Sequence, residues 1–132
     1  MNRDEILNMP AGREMDTLVA EKIMGWERGN ISALPQGDIP VWHTGEGKGW
    51  KTHQSINWSP STVINSAWEV VEKILEKPCS INVQTEFHSD GNHSSCFIHP
   101  YPRGTTNLIM GHGSTAPLAI CRAALLAVMD TE

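Results

Sequence analysis

Residues 115–128 read TAPLAICRAALLAV, a stretch whose only polar side chains are Thr115 and Arg122. A helix this apolar around its circumference is buried on more than one side. Pro117 falls in its first turn, where a missing N–H removes no helical hydrogen bond. Leu118, Cys121, Leu125 and Val128 make one seam, and Ala119, Ala123 and Ala127 make a second, low-relief face that permits close approach of another helix. Arg122 flanks that alanine face and needs a partner, because arginine is rarely buried unpaired. One account is a salt bridge to Glu69, Glu72 or Glu76, or a stem packed flat with its head in water. The other is an anion-binding arginine at a pocket or subunit interface, its fork on phosphate or carboxylate. Trp50, Trp58, Phe87 and Phe97 would then be available to stack on a base.

Upstream of this helix, Ile81, Val83, Thr85 and Phe87 alternate with Asn82, Gln84 and Glu86, the period of a strand with one buried face. Asp90-Gly91 supplies a turn, residues 95–99 return, and residues 107–110 offer a third short strand beyond Pro100 and Pro102. Earlier still, Ser59-Pro60 reads as a helix start. It is followed by the stripe Val63, Ile64, Ala67, Trp68, Val71, Ile74 and Leu75, and Pro78 closes the segment. Met15, Leu18, Val19, Ile23 and Trp26 mark another amphipathic helix. Asn2 and Glu5 have capping-box spacing for a short turn that Pro10 stops. Between these helices, residues 29–58 hold prolines at 35 and 40, glycines at 37, 45, 47 and 49 and few aliphatics, and are expected to form an irregular loop. The fold expected is α+β: one small antiparallel sheet of two to four strands covered by three helices.

A chain of 132 residues makes one domain, residues 1–132. With 39% hydrophobic and 19% charged residues it is globular rather than disordered. A net charge of −5 with scattered lysines and arginines argues against nucleic acid as a partner, since that affinity rests on clustered cations. No apolar run approaches a membrane span, and the first residues lack a secretory core, so the cytoplasm is the expected compartment. Three cysteines without a CxxC pair do not suggest a disulfide framework.

Motifs for chemistry are weak. Residues 45–52 (GEGKGWKT) resemble a phosphate-binding loop, but Trp50 stands where glycine is needed, and neither a preceding strand nor a following helix is evident. His88, His93, Cys96, His99 and His112 lie near one another in sequence. On a regular strand, however, Cys96 and His99 would point to opposite faces, and no metal site is expected. No GxSxG elbow is present and no pair of residues recommends a nucleophile, so no catalytic residue and no cofactor is assigned.

Three blocks carry a resemblance: MDTLVAEKIMGW at 15–26, WSPSTVINSAWEVVEKIL at 58–75 and TAPLAICRAALLAV at 115–128. In combination and order they resemble the phage ABA sandwich domain family of small bacteriophage and prophage proteins. The resemblance implies an α-β-α sandwich and a protein acting in the host cytoplasm. Among small phage accessory proteins it points to an anti-defence sponge. Such a protein would sequester a phosphate-bearing nucleotide immune signal, such as a cyclic ADP-ribose isomer, without chemistry and as a homo-oligomer. Arg122, Arg103, Phe87, Phe97, Trp50 and Trp58 are the ligand-binding candidates under that reading. An inhibitor or adaptor of a host protein is the alternative, and a nucleotide hydrolase using the histidines is the third.

Overall fold

The computed structural model describes residues 2–33, 37–47, 50–100 and 108–130. Helices α1 (Arg3–Asn8) and α2 (Arg13–Lys22) come first, followed by strands β1 (Glu27–Ala33), β2 (Gly37–Gly47) and β3 (Trp50–Ser55). Helix α3 (Ile64–Ile74), strands β4 (Cys79–His88), β5 (Gly91–Pro100) and β6 (Ile109–Gly113), and helix α4 (Ala116–Asp130) complete the order. Both triplets of strands are antiparallel meanders, β1-β2-β3 and β4-β5-β6, and they form separate sheets.

This overturns the expectation of one small sheet under three helices. Among the described residues there are two three-stranded sheets and four helices, and residues 29–58 hold most of a sheet rather than an irregular loop. The glycines and Pro40 that suggested a loop are accommodated locally. Proline cannot donate to a ladder and belongs at sheet edges. Pro40 faces Asn30 of β1, while β3 begins to pair only at Val41, so at Pro40 the central strand is still an edge. A register shift between His43 and Gly45 absorbs one residue before the glycine-rich end of the hairpin. The strand Trp50–Ser55 follows, so the segment that resembled a phosphate loop leads into a strand and no helix begins at its lysine.

Asn2 caps α1, its side chain accepting from the Glu5 N–H at 2.9 Å, while Glu5 Oε1 accepts from the Asn2 side-chain amide at 3.2 Å rather than from its backbone N–H. Helix α2 ends where Gly25 takes a left-handed conformation (φ 73°), open to glycine at no steric cost. The Trp26 N–H then reaches back to the Ala20 carbonyl at 3.0 Å. Ser59-Pro60 opens a turn, not the helix itself. The Thr62 and Val63 N–H groups both return to the Ser59 carbonyl, and α3 starts at Ile64.

Helix α4 is the centre of the molecule. One side lies on β5 and β6, and α1, α2 and α3 pack against it elsewhere. Ala119, Ile120, Cys121, Ala123 and Ala124 are fully buried, as the composition of the segment requires. The alanine face, read as room for another helix, meets a strand instead. Gly111 of β6 sits against the Ala119 and Ala123 backbone, closer than any side chain would permit. Ser94, Cys96 and Ile98 of β5 point toward α4 and are buried. Strand β4 shares this face through the pairs Ile81–Ile98, Val83–Cys96 and Thr85–Ser94, yet it emerges from the core beyond Ile81. The buried face expected along Val83, Thr85 and Phe87 is therefore exposed, Phe87 to 83%. No helix of the described residues is long and apolar enough to cross a membrane.

Candidate functional site

Two adjoining cavities lie between α2, the first sheet and the connection from β3 to α3, and they share Arg13 and Ile56. The larger, of about 470 Å³, is lined by Arg13, Arg28, Gly29, Asn30, Pro40 and Ile56. The smaller, of about 280 Å³, adds Gly12, Asp16, Thr17, Asn57, Ser59 and Thr62 over the indoles of Trp42 and Trp58. Arg13 is the first residue of α2, and Arg28 reaches the cleft from β1.

The arginines are positioned by weak neutral contacts. Arg28 lies directly across from Trp42 in the β1–β2 ladder, its guanidinium carbon 5.4 Å from the ring centroid. It also donates to Thr17 Oγ1 at 3.4 Å. Arg13 donates to Asn57 Oδ1 at 3.4 Å. Neither pairs with a carboxylate among the described residues. Two guanidinium groups stacked or loosely held beside one cleft keep most of their donors free for an anion, and arginine matches phosphate and carboxylate oxygens two at a time.

The floor is rigid. Trp58 is 6% exposed, donates its indole N–H to Glu69 Oε2 at 2.7 Å, and packs on Trp26 with ring centroids 4.5 Å apart. Ser61 accepts the Gly12 N–H at 3.0 Å, and its own N–H donates to Asp16 Oδ1 at 2.8 Å, fixing the start of α2 to the turn before α3. A side chain at Gly29 would run into the His43 ring, which would have to swing aside.

The residues expected to bind ligand are not gathered here. Trp58 lies in the smaller cavity, but its burial leaves little ring face for stacking. Phe87 is exposed at the end of β4, on the α4 side of the second sheet. Phe97 lies on the opposite face of that sheet, half-buried. Trp50 begins β3, but its side chain is outside the described residues, as is Arg103. Arg122 is half-buried under α1, donating to the His112 carbonyl at 2.8 Å and the Met9 carbonyl at 2.9 Å. Its Nε is buried without a partner among the described residues, and desolvation lowers its pKa. None of Glu69, Glu72 and Glu76 pairs with it among the described residues, and Glu69 serves Trp58 instead.

The histidines separate from the cysteine as strand alternation requires. Cys96 faces α4, and burial pushes its thiol up to about 12. Cys121 is raised further, first by burial and then by Asp16 and Cys96. His88, His93 and His112 form a row on the other face, with centroids 6.3 and 5.8 Å apart, and His88 Nε2 contacts Glu86 Oε2 at 3.0 Å. Among the described residues no group of three histidine, cysteine, aspartate or glutamate side chains could hold a metal ion. A further cavity of about 400 Å³ between α3, α4, β5 and β6 has apolar walls including Ile74, Ile98, Ile109 and Ala124. Its charged lining residues are Lys73, which pairs with Glu76, and Lys77, both at the end of α3 rather than converging from several elements.

Arg13 and Arg28 are absent from the candidates drawn from sequence. Arg28 could have been found by pairing it with Trp42 across a hairpin, had residues 27–47 been recognised as one. Arg13 carries no local signal, because the turn that brings Asn57 to it is a tertiary contact.

A family model described as the phage ABA sandwich domain matches residues 17–125. No curated protein matches the chain.

Proposed function

The chain belongs to the phage ABA sandwich domain family, and from that premise we propose that it binds a phosphate-bearing nucleotide in the Arg13–Arg28 cleft and holds it without chemistry. The observation that carries this reading is the pair of arginines beside one cavity, neither satisfied by a carboxylate among the described residues. The cavity's size is that of a small-ligand site, which runs from about 300 to about 1,000 Å³. Asn30 and Asn57 add amides that can donate to or accept from a ribose or base. In a phage protein, capture of a nucleotide immune signal such as a cyclic ADP-ribose isomer is the anti-defence role that fits such a site.

Thermal unfolding and native mass spectrometry with ADP-ribose, cyclic ADP-ribose, a cyclic dinucleotide and inorganic phosphate test this. At least one nucleotide should raise the melting temperature, by the equivalent of about 2.7 kcal/mol at one hundred times its Kd. The ligand should be recovered intact after denaturation. Arg13→Ala/Arg28→Ala should weaken binding tenfold or more while the unliganded melting temperature stays near that of the parent. No shift with any probe, or equal binding by the double variant, refutes the site. Recovery of cleaved nucleotide refutes capture without chemistry and favours a hydrolase. Stoichiometric retention of a host protein, with no nucleotide bound, favours the inhibitor.

A further inference from the structure

We infer that β4 is a self-complementary assembly edge, pairing antiparallel with β4 of a second copy to join two three-stranded sheets into one of six. The inference does not depend on the cleft. β4 stands at the end of the order β4-β5-β6, spans ten residues, and pairs with β5 without a register break from Cys79 to His88. Sheet edges in proteins that stay monomeric are blunted by short length, lysine, proline or a bulge. The sequence CSINVQTEFH has none of these, and Glu86 is its one carboxylate.

The backbone is arranged for addition of a strand. The turn at residues 89 and 90 closes on His88 and Gly91, the hydrogen-bonded pair that flanks a two-residue hairpin loop. Bonded and non-bonded pairs alternate from there, so the N–H and C=O groups of Ile81, Val83, Thr85 and Phe87 face away from β5. The same residues carry the exposed apolar side chains, Val83 at 38% and Phe87 at 83%, beyond the reach of α4.

The occupant follows from what opposes what. With a two-fold axis at Thr85, Val83 lies across from the second copy's Phe87, Gln84 across from its Glu86, and Asn82 across from its His88. The two exposed apolar residues, Val83 and Phe87, meet each other, each Glu86 meets an amide, and no like charges are directly opposed. Cross-strand pairs at this spacing are the unit of sheet stabilisation, and the same patch serves both copies, as an isologous interface requires.

Sedimentation velocity and light scattering on the intact chain at micromolar concentration test the pairing. The parent should sediment as a dimer. Phe87→Lys, at a site too exposed to matter to the fold, should raise the dimer Kd tenfold or more. Val83→Lys/Phe87→Lys sets lysines opposite one another twice and should give a monomer, with circular dichroism unchanged. Val83→Glu/Phe87→Lys sets opposite charges in register and should restore the dimer. A parent that is monomeric throughout overturns the inference. So does a dimer indifferent to Phe87→Lys, or a charge-reversed variant as monomeric as the double lysine.

Discussion

Gly111→Ala isolates the contact that seats the second sheet on α4. A methyl at this position in β6 would lie 2.6 Å from the Ala119 carbonyl oxygen and 2.8 Å from the Ala123 Cα, and would crowd the Ala123 nitrogen as well. Carbon contacts are comfortable at about 3.5–4.0 Å, so α4 must retreat by about 1 Å. The atoms met are backbone, which cannot rotate aside. Overpacking costs about 1–3 kcal/mol, and a site with no side chain to yield belongs at about 3 kcal/mol. Retreat also lifts α4 from Cys96 and Ile98, both fully buried beneath it. For a chain of this length that corresponds to a fall in melting temperature of about 10–15 °C. Urea unfolding followed by tryptophan fluorescence, with calorimetry, gives the number. Gly113→Ala is the control. Its methyl would meet the Leu118 side chain at 2.9 Å and Arg122 Nη1 at 3.3 Å, both able to move, and should cost about 1 kcal/mol. If Gly111→Ala is within about 0.5 kcal/mol of the parent, as a surface substitution would be, β6 and α4 are not in backbone contact and the reasoning fails.

Two other substitutions probe the interior. Arg122→Met keeps the apolar stem but strands the Met9 and His112 carbonyls. Urea unfolding should show a loss of about 2–4 kcal/mol, with nucleotide affinity unchanged; weakened binding at full stability would return Arg122 to the ligand site. The buried thiols make stability fall in alkali. Cys96 keeps its proton to about 12 when folded, whereas the unfolded chain gives it up in the ordinary thiol range. Between those limits the native state binds more protons, so stability falls as pH rises, by about 1.4 kcal/mol per pH unit per thiol. Unfolding midpoints measured from neutral pH into that window should decline less steeply in Cys96→Ala than in the parent, and equal slopes would refute the assignment.

What was legible in the sequence was whatever the core touches. The stripe of α2, the return strand β5 and the apolar α4 each carry a pattern imposed by burial, whereas the alternation of Val83, Thr85 and Phe87 in β4 runs on outside the core. The first sheet carries almost none, because Val41 and Trp42 are its only core residues among those described. A sheet with so little buried leaves no alternation to read, and Pro40 and the glycines then dominate the reading. The stripe of α3 was read correctly as helical but not as to its setting: Ala67, Val70 and Val71 are buried, while Ile64, Trp68 and Leu75 are about half exposed. The cleft was invisible for a related reason. Arg13 and Arg28 stand 15 positions apart, and only the unrecognised hairpin and the turn after it make them neighbours. Arg122 drew notice by its surroundings, yet its partners are carbonyls, which leave no trace in a sequence.

The place of α4 in the chain has a consequence for how the protein is made. Every other described element leaves the ribosome before residues 116–130 do, and α1, α2, α3 and the second sheet all pack on them. Until that helix emerges, α1, α2, α3 and the second sheet have no surface to close upon. The nascent chain must hold its apolar faces open, exposed to chaperones and proteases. Closure then links residues more than one hundred positions apart, as Arg122 does with Met9, so folding is expected to be slow for a domain of this size and to wait until residues 116–130 have emerged.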